Sequence, residues 1–92
     1  MSATVRFTDA ARWQLRAALQ AVDRRDAAAA RELLESVSGY ARDGERLEAD
    51  GNPLPEFPRI PAREILVGAH RLFFRREGAD LWITGIWKRQ TA

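Results

Sequence analysis

The chain has no cysteine, a single lysine, a single histidine and a single tyrosine in 92 residues. Without cysteine there is no disulfide framework and no thiolate metal site. No apolar run is long enough to cross a bilayer, and no charged-then-apolar leader opens the chain. The expectation is a soluble, cytoplasmic protein with no membrane contact. Neither sign of charge dominates: 15 Lys and Arg stand against 13 Asp and Glu, a net +2. So mild a balance does not by itself mark a nucleic-acid binder. Lysine is confined to Lys88 and the other basic residues are arginines. Arginine suits planar, bidentate partners such as carboxylate and phosphate, although a GC-rich coding sequence also yields arginine in excess. Proline is absent except in Glu45–Ala62, which holds all 4.

What is present is concentrated in REILVGAHRLFFRREGADLWITGIW, residues 63–87. Its β-branched and aromatic residues suit a pleated, half-buried surface. Arg63–Val67, His70–Arg76 and Leu81–Trp87 read as three antiparallel strands. Gly68-Ala69 suits a type II′ hairpin, and Gly78 supplies a second turn. Alternation gives two faces. Ile65, Val67, Leu72, Phe74, Leu81, Ile83 and Trp87 form a core face. Glu64, Leu66, Arg71, Phe73, Arg75, Trp82, Thr84, Ile86 and Lys88 form a mixed, cationic face, open to a partner.

Upstream, Thr4–Phe7 is a short strand. Thr8 or Asp9 caps a helix over about Ala10–Val22, with Leu15, Ala18, Leu19 and Val22 as its apolar stripe. Trp13 lies round from that stripe: either an aromatic covering the helix edge or an anchor for a partner. Asp26 caps a second helix reaching about Gly44, whose buried side is Ala30, Leu33, Val37, Tyr40 and Ala41. The two form a hairpin that covers the core face. Glu45–Ala62 reads as a connector, with Leu54, Phe57 and Ile60 against the core edge. The whole predicts one α+β domain over 1–92: an N-terminal strand, an antiparallel helical hairpin, then a three-stranded antiparallel meander, giving a four-stranded, mostly antiparallel sheet.

This order resembles the RelE/ParE toxin superfamily of type II toxin–antitoxin systems. VRFTDAARWQLRAAL, DRRDAAAARELLESV and the 63–87 stretch, with Arg71-Leu72 in the middle strand of the meander, carry the resemblance over nearly the whole chain. His70 departs from it, since relatives commonly have an aromatic hydroxyl there. The resemblance implies a cognate antitoxin, small and partly disordered, whose acidic C-terminal segment folds on binding in a hetero-oligomer. It would dock on Trp13, Arg63, Arg71 and Phe73, with an unpaired sheet edge as a further place for it. No metal or other cofactor is implied.

The same resemblance leaves two targets. ParE-like members poison DNA gyrase by binding; Arg71, Arg75, Trp82, Lys88 and Arg89 would meet the target. RelE-like members cut messenger RNA on the ribosome. In that case Arg71, Lys88, Arg63 and Glu64 would be the catalytic set, with Phe73 and Trp82 stacking on bases. RNA cleavage needs an acid and a base, and the candidates are poor. Tyr40 falls on a buried helix side. A carboxylate such as Glu64 among arginines is a weak base and a poor acid. His70 titrates in a useful range, but alternation turns it away from Arg71. The ParE-like branch is therefore the expected one. Two other readings stay open: Arg71 paired with Glu64 as a structural tie across the sheet, and an inactive member that still binds its antitoxin.

Overall fold

The computed structural model describes residues 3–90. Met1, Ser2, Thr91 and Ala92 lie outside the described residues. The elements are β1 (Thr4–Phe7), α1 (Asp9–Asp23), α2 (Ala27–Arg42), α3 (Gly44–Asp50), β2 (Asn52–Pro53), β3 (Arg63–Val67), β4 (His70–Glu77) and β5 (Asp80–Lys88). They form one α+β unit with a mixed sheet in the order β1-β5-β4-β3-β2. β1 runs parallel to β5 and the remaining pairs are antiparallel.

The helical hairpin forms for the reasons its sequence contains. Thr8 Oγ1 accepts the Ala11 N–H at 3.1 Å and caps α1. Asp26 Oδ1 accepts the N–H groups of Ala28 and Ala29 at 3.0 and 3.1 Å and caps α2. Each side chain satisfies a donor that a helix start leaves free. Ala30, Leu33, Val37 and Tyr40 are buried, as their spacing predicts, whereas Ala41 is half-buried. Leu33, Val37 and Tyr40 pack with Ile65, Val67, Leu72, Phe74, Leu81 and Ile83, all of the predicted core face of the sheet but Trp87.

The connector differs from expectation. Its first part is α3, because Asp43 caps it through the Arg46 N–H at 3.1 Å and Leu47 is fully buried. Leu47 and Ala49 are its two apolar residues in seven, two positions apart, and give no helical stripe to read. Asn52 and Pro53 then add a fifth, edge strand beside Glu64 and Arg63. Proline is tolerated there because an edge strand has spare N–H positions. Leu54 is buried, but Phe57 and Ile60 are exposed rather than against the core.

The second difference sits in β5. Gly68 and Gly78 take φ of 58° and 60° with no positive φ at the alanines that follow, the combination of a type II′ turn. Pairing runs from these turns as predicted until Phe74 meets Ile83 and Phe73 meets Gly85. Thr84 is left without a partner, a β-bulge. Beyond it every residue of β5 changes face. Ile86 joins the core opposite Leu72, and Trp87, expected inside, stands 59% exposed opposite Arg71. Gln14 closes the strand edge that β1 does not reach, its Oε1 accepting the Ile86 N–H at 3.0 Å.

Stability should follow this corrected division of the faces. Phe74 is fully buried, so Phe74→Ala should cost about 3–5 kcal/mol in denaturant unfolding. Trp87→Ala should stay within about 0.5 kcal/mol of the unaltered chain.

Candidate functional site

The open side of the sheet carries a cavity of about 680 Å³. None of its lining residues belongs to a helix: Glu64, Leu66, Arg71, Phe73, Trp87 and Lys88 come from β3–β5, Arg89 and Gln90 from the segment after β5, and Pro55 and Glu56 from the connector. Direct cross-strand partners share a face. One row across the sheet is therefore Leu66–Arg71–Trp87 and the next is Glu64–Phe73–Gly85. The absence of a Cβ at Gly85 matters here, since one would lie 2.9 Å from Trp87 Nε1.

Arg71 is the centre. Its Nε donates to Glu64 Oε1 at 2.6 Å, and its Nη2 lies 2.5 Å from the same oxygen. Nη1 and Nη2 donate to Glu56 Oε2 and Oε1 at 2.6 and 2.7 Å. The guanidinium carbon stands 4.9 Å from the centre of the Phe73 ring, a cation–π contact. Hydrogen bonds donated to both carboxylates, chiefly Glu56, raise the Arg71 pKa further. The bond from Arg71, joined by backbone hydrogen bonding, holds Glu56 down to about 2. Glu64 is 7% exposed and Arg71, as a side chain, 23%. The tie between Arg71 and Glu64 exists, as one sequence reading allowed. Glu56 makes it a three-residue cluster in which two carboxylates outweigh one cation.

The other predicted positions divide. Lys88 lines the cavity, but the bulge pairs it with His70 instead of placing it beside Arg71. Arg63 belongs to the opposite side of the sheet, in register with Phe74, and donates through Nη1 to the Gly51 carbonyl at 3.4 Å. Arg75 is on the open face, 3.4 Å from Glu77, with Trp82 as its half-buried register partner. Arg89 lines the cavity rim, and its N–H donates to the Ala69 carbonyl at 2.7 Å. Trp13 is 68% exposed on α1, with Arg16 stacked 5.5 Å above its ring.

The proton carriers lie elsewhere. His70 is buried on the helix side, where burial and then the charge of Lys88 lower its pKa. Tyr40, on the buried side of α2, donates to Asp50 Oδ2 at 2.7 Å, and burial with that bond raises its pKa. Sequence reading missed Glu56 and misplaced Trp87. Gly85 inside a strand was the available sign of a bulge; nothing local marks Glu56.

The fold recurs among solved structures. No protein-family model matches the sequence and no curated protein matches it. Among solved structures the chain is similar to one from a chromosomal ParDE toxin–antitoxin system of P. aeruginosa, at 16% identity, TM-score 0.72, covering 96% of this chain and 97% of that one. It is also similar to a chain of the toxin–antitoxin complex RelBE2 from Mycobacterium tuberculosis, at 23% identity, TM-score 0.65, covering 97% and 93%. At these identities the likeness shows the fold.

The Glu56–Arg71 contact should respond to acid with a definite sign. Glu56 ordinarily titrates at 4.5 and here at about 2. Its contribution is complete above pH 4.5 and is lost as the pH falls through about 2. A carboxyl carbon resonance of Glu56 followed by NMR should titrate near the lower value in the folded chain and near the ordinary value in Arg71→Ala.

Proposed function

We propose that this protein is the toxin of a type II toxin–antitoxin pair and acts, as ParE-like toxins do, by binding DNA gyrase. The observation that carries the reading is the composition of the open face. Its central arginine is engaged by two carboxylates, while the histidine and the tyrosine lie on the helix side. Such a face suits recognition more than proton transfer. Arg71, Arg75, Trp82, Lys88 and Arg89 are the residues proposed to meet the target.

The antitoxin is proposed from the assemblies to which the fold is similar. Both structures come from toxin–antitoxin systems. Trp13 and its neighbouring arginines give an acidic, amphipathic segment a cationic and apolar surface on α1. β2 pairs only with Arg63 and Glu64, so the outer edge of Ile65–Val67 is available for strand addition. Arg63, Arg71 and Phe73 lie on or beside that end of the sheet. The pair would form a hetero-oligomer in the cytoplasm.

A second reading, a ribosome-dependent endoribonuclease, is favoured by one feature: Arg71, Lys88 and Arg89 line the same cavity as Phe73. Cations and a stacking surface are half of what RNA cleavage requires.

Purified protein should block DNA supercoiling by gyrase or leave cleaved DNA, and Arg71→Ala should weaken this while the far-UV circular dichroism persists. Unaffected gyrase together with cut message in a translation extract would replace the first reading by the second. An unfolded Arg71→Ala would show the arginine to be a structural tie.

A further inference from the structure

All three guanidinium nitrogens of Arg71 donate to carboxylate oxygens, yet the two carboxylates are held very differently. Glu64 is buried within β3. Glu56 stands in the strap between β2 and β3, with a half-exposed side chain. The strap is anchored at its start by the β2–β3 ladder and buried Leu54, and at its end by β3 itself. Between these points its backbone bonds are local: Phe57 N–H to the Leu54 carbonyl at 3.1 Å and Ile60 N–H to the Phe57 carbonyl at 3.3 Å. Phe57 and Ile60 are exposed. The contact that draws the strap onto the open face is Glu56 with Arg71.

We propose that Glu56 is a latch that fills the carboxylate site of Arg71 from within, and that an acidic peptide binds the cavity by displacing it. The exchange conserves charge: one carboxylate leaves, one arrives, and Glu64 keeps its place. The two short bonds from Nη1 and Nη2 show that this edge of the guanidinium accepts a planar pair of oxygens. Leu66 and Trp87 flank Arg71 in its row and are exposed, so apolar neighbours of the incoming carboxylate find contact on either side. Lys88 and Arg89 at the rim favour an acidic segment over a neutral one. Closure of the strap lowers the apparent affinity by the fraction of molecules in which the site is filled. The latch rests on the contacts of Arg71 and holds whether or not gyrase is the target.

The test uses the whole chain, a hexaglutamate peptide as probe, and the Trp87 indole Nε1–H resonance, present in every variant and beside Arg71 in its row, as reporter. Glu56→Gln keeps the shape of the side chain and removes its charge. Amides of residues 55–60, prolines apart, should then exchange faster with solvent while the unfolding midpoint barely moves. The peptide should bind Glu56→Gln about tenfold more tightly than the unaltered chain, as the open fraction rises. In an Arg71→Lys background, which keeps the charge and loses the fork, that difference should vanish. Equal affinities, unchanged strap exchange, or a difference that survives Arg71→Lys would each overturn the latch. A single-stranded RNA oligonucleotide that moves the reporter where the peptide does not would overturn the carboxylate assignment.

Discussion

The structure depends on one constraint: the sheet has apolar side chains enough to bury only one of its faces. Leu72, Phe74, Leu81 and Ile83 on the two central strands are fully buried. Removing such surfaces from water is the dominant favourable term in a domain this small. The helical hairpin is spent on that side. The opposite face must then be closed by something other than a helix, and what reaches it is the proline-bearing strap. Arg71 sits where the two demands meet. It is stacked on Phe73, held from below by a strand carboxylate and from above by a strap carboxylate.

Ion pairs on an exposed surface contribute little, and Arg6–Asp80 and Arg75–Glu77 are of that kind. The Arg71 cluster differs in geometry more than in number. Its bonds are short and bidentate, and one partner is buried. Removing the arginine would leave Glu64 in a site with no counter-charge, a costly outcome. The same residue is thus a tie within the sheet and the focus of the proposed recognition surface, and structural and functional roles are not alternatives at this position.

Much of this was legible in the sequence, and the failures have separate causes. The meander, its two turns and the faces of β3 and β4 followed from alternation and turn chemistry; capping residues marked the helix starts, Asp26 alone for the second and Thr8 or Asp9 for the first. Alternation propagates without error only while the ladder is regular. One unpaired residue, Thr84, reverses the face of everything after it. That single residue explains why Ile86 is inside, why Trp87 is outside, and why Lys88 is beside His70. Helix α3 escaped because a short helix with one buried leucine has no periodicity. Glu56 escaped because a contact between residues 15 positions apart, made by a loop, leaves no local trace.

The near absence of lysine gains a meaning once Lys88 is placed. Its ε-amine is the sole side-chain amine of the protein, and Lys88 is among the residues that line the mouth of the cavity. Acylating reagents and amine-directed crosslinkers will therefore report on that mouth with almost no background from the rest of the surface. With every other basic side chain an arginine, the molecule is chemically addressable at one spot, in the lining of the cavity centred on Arg71.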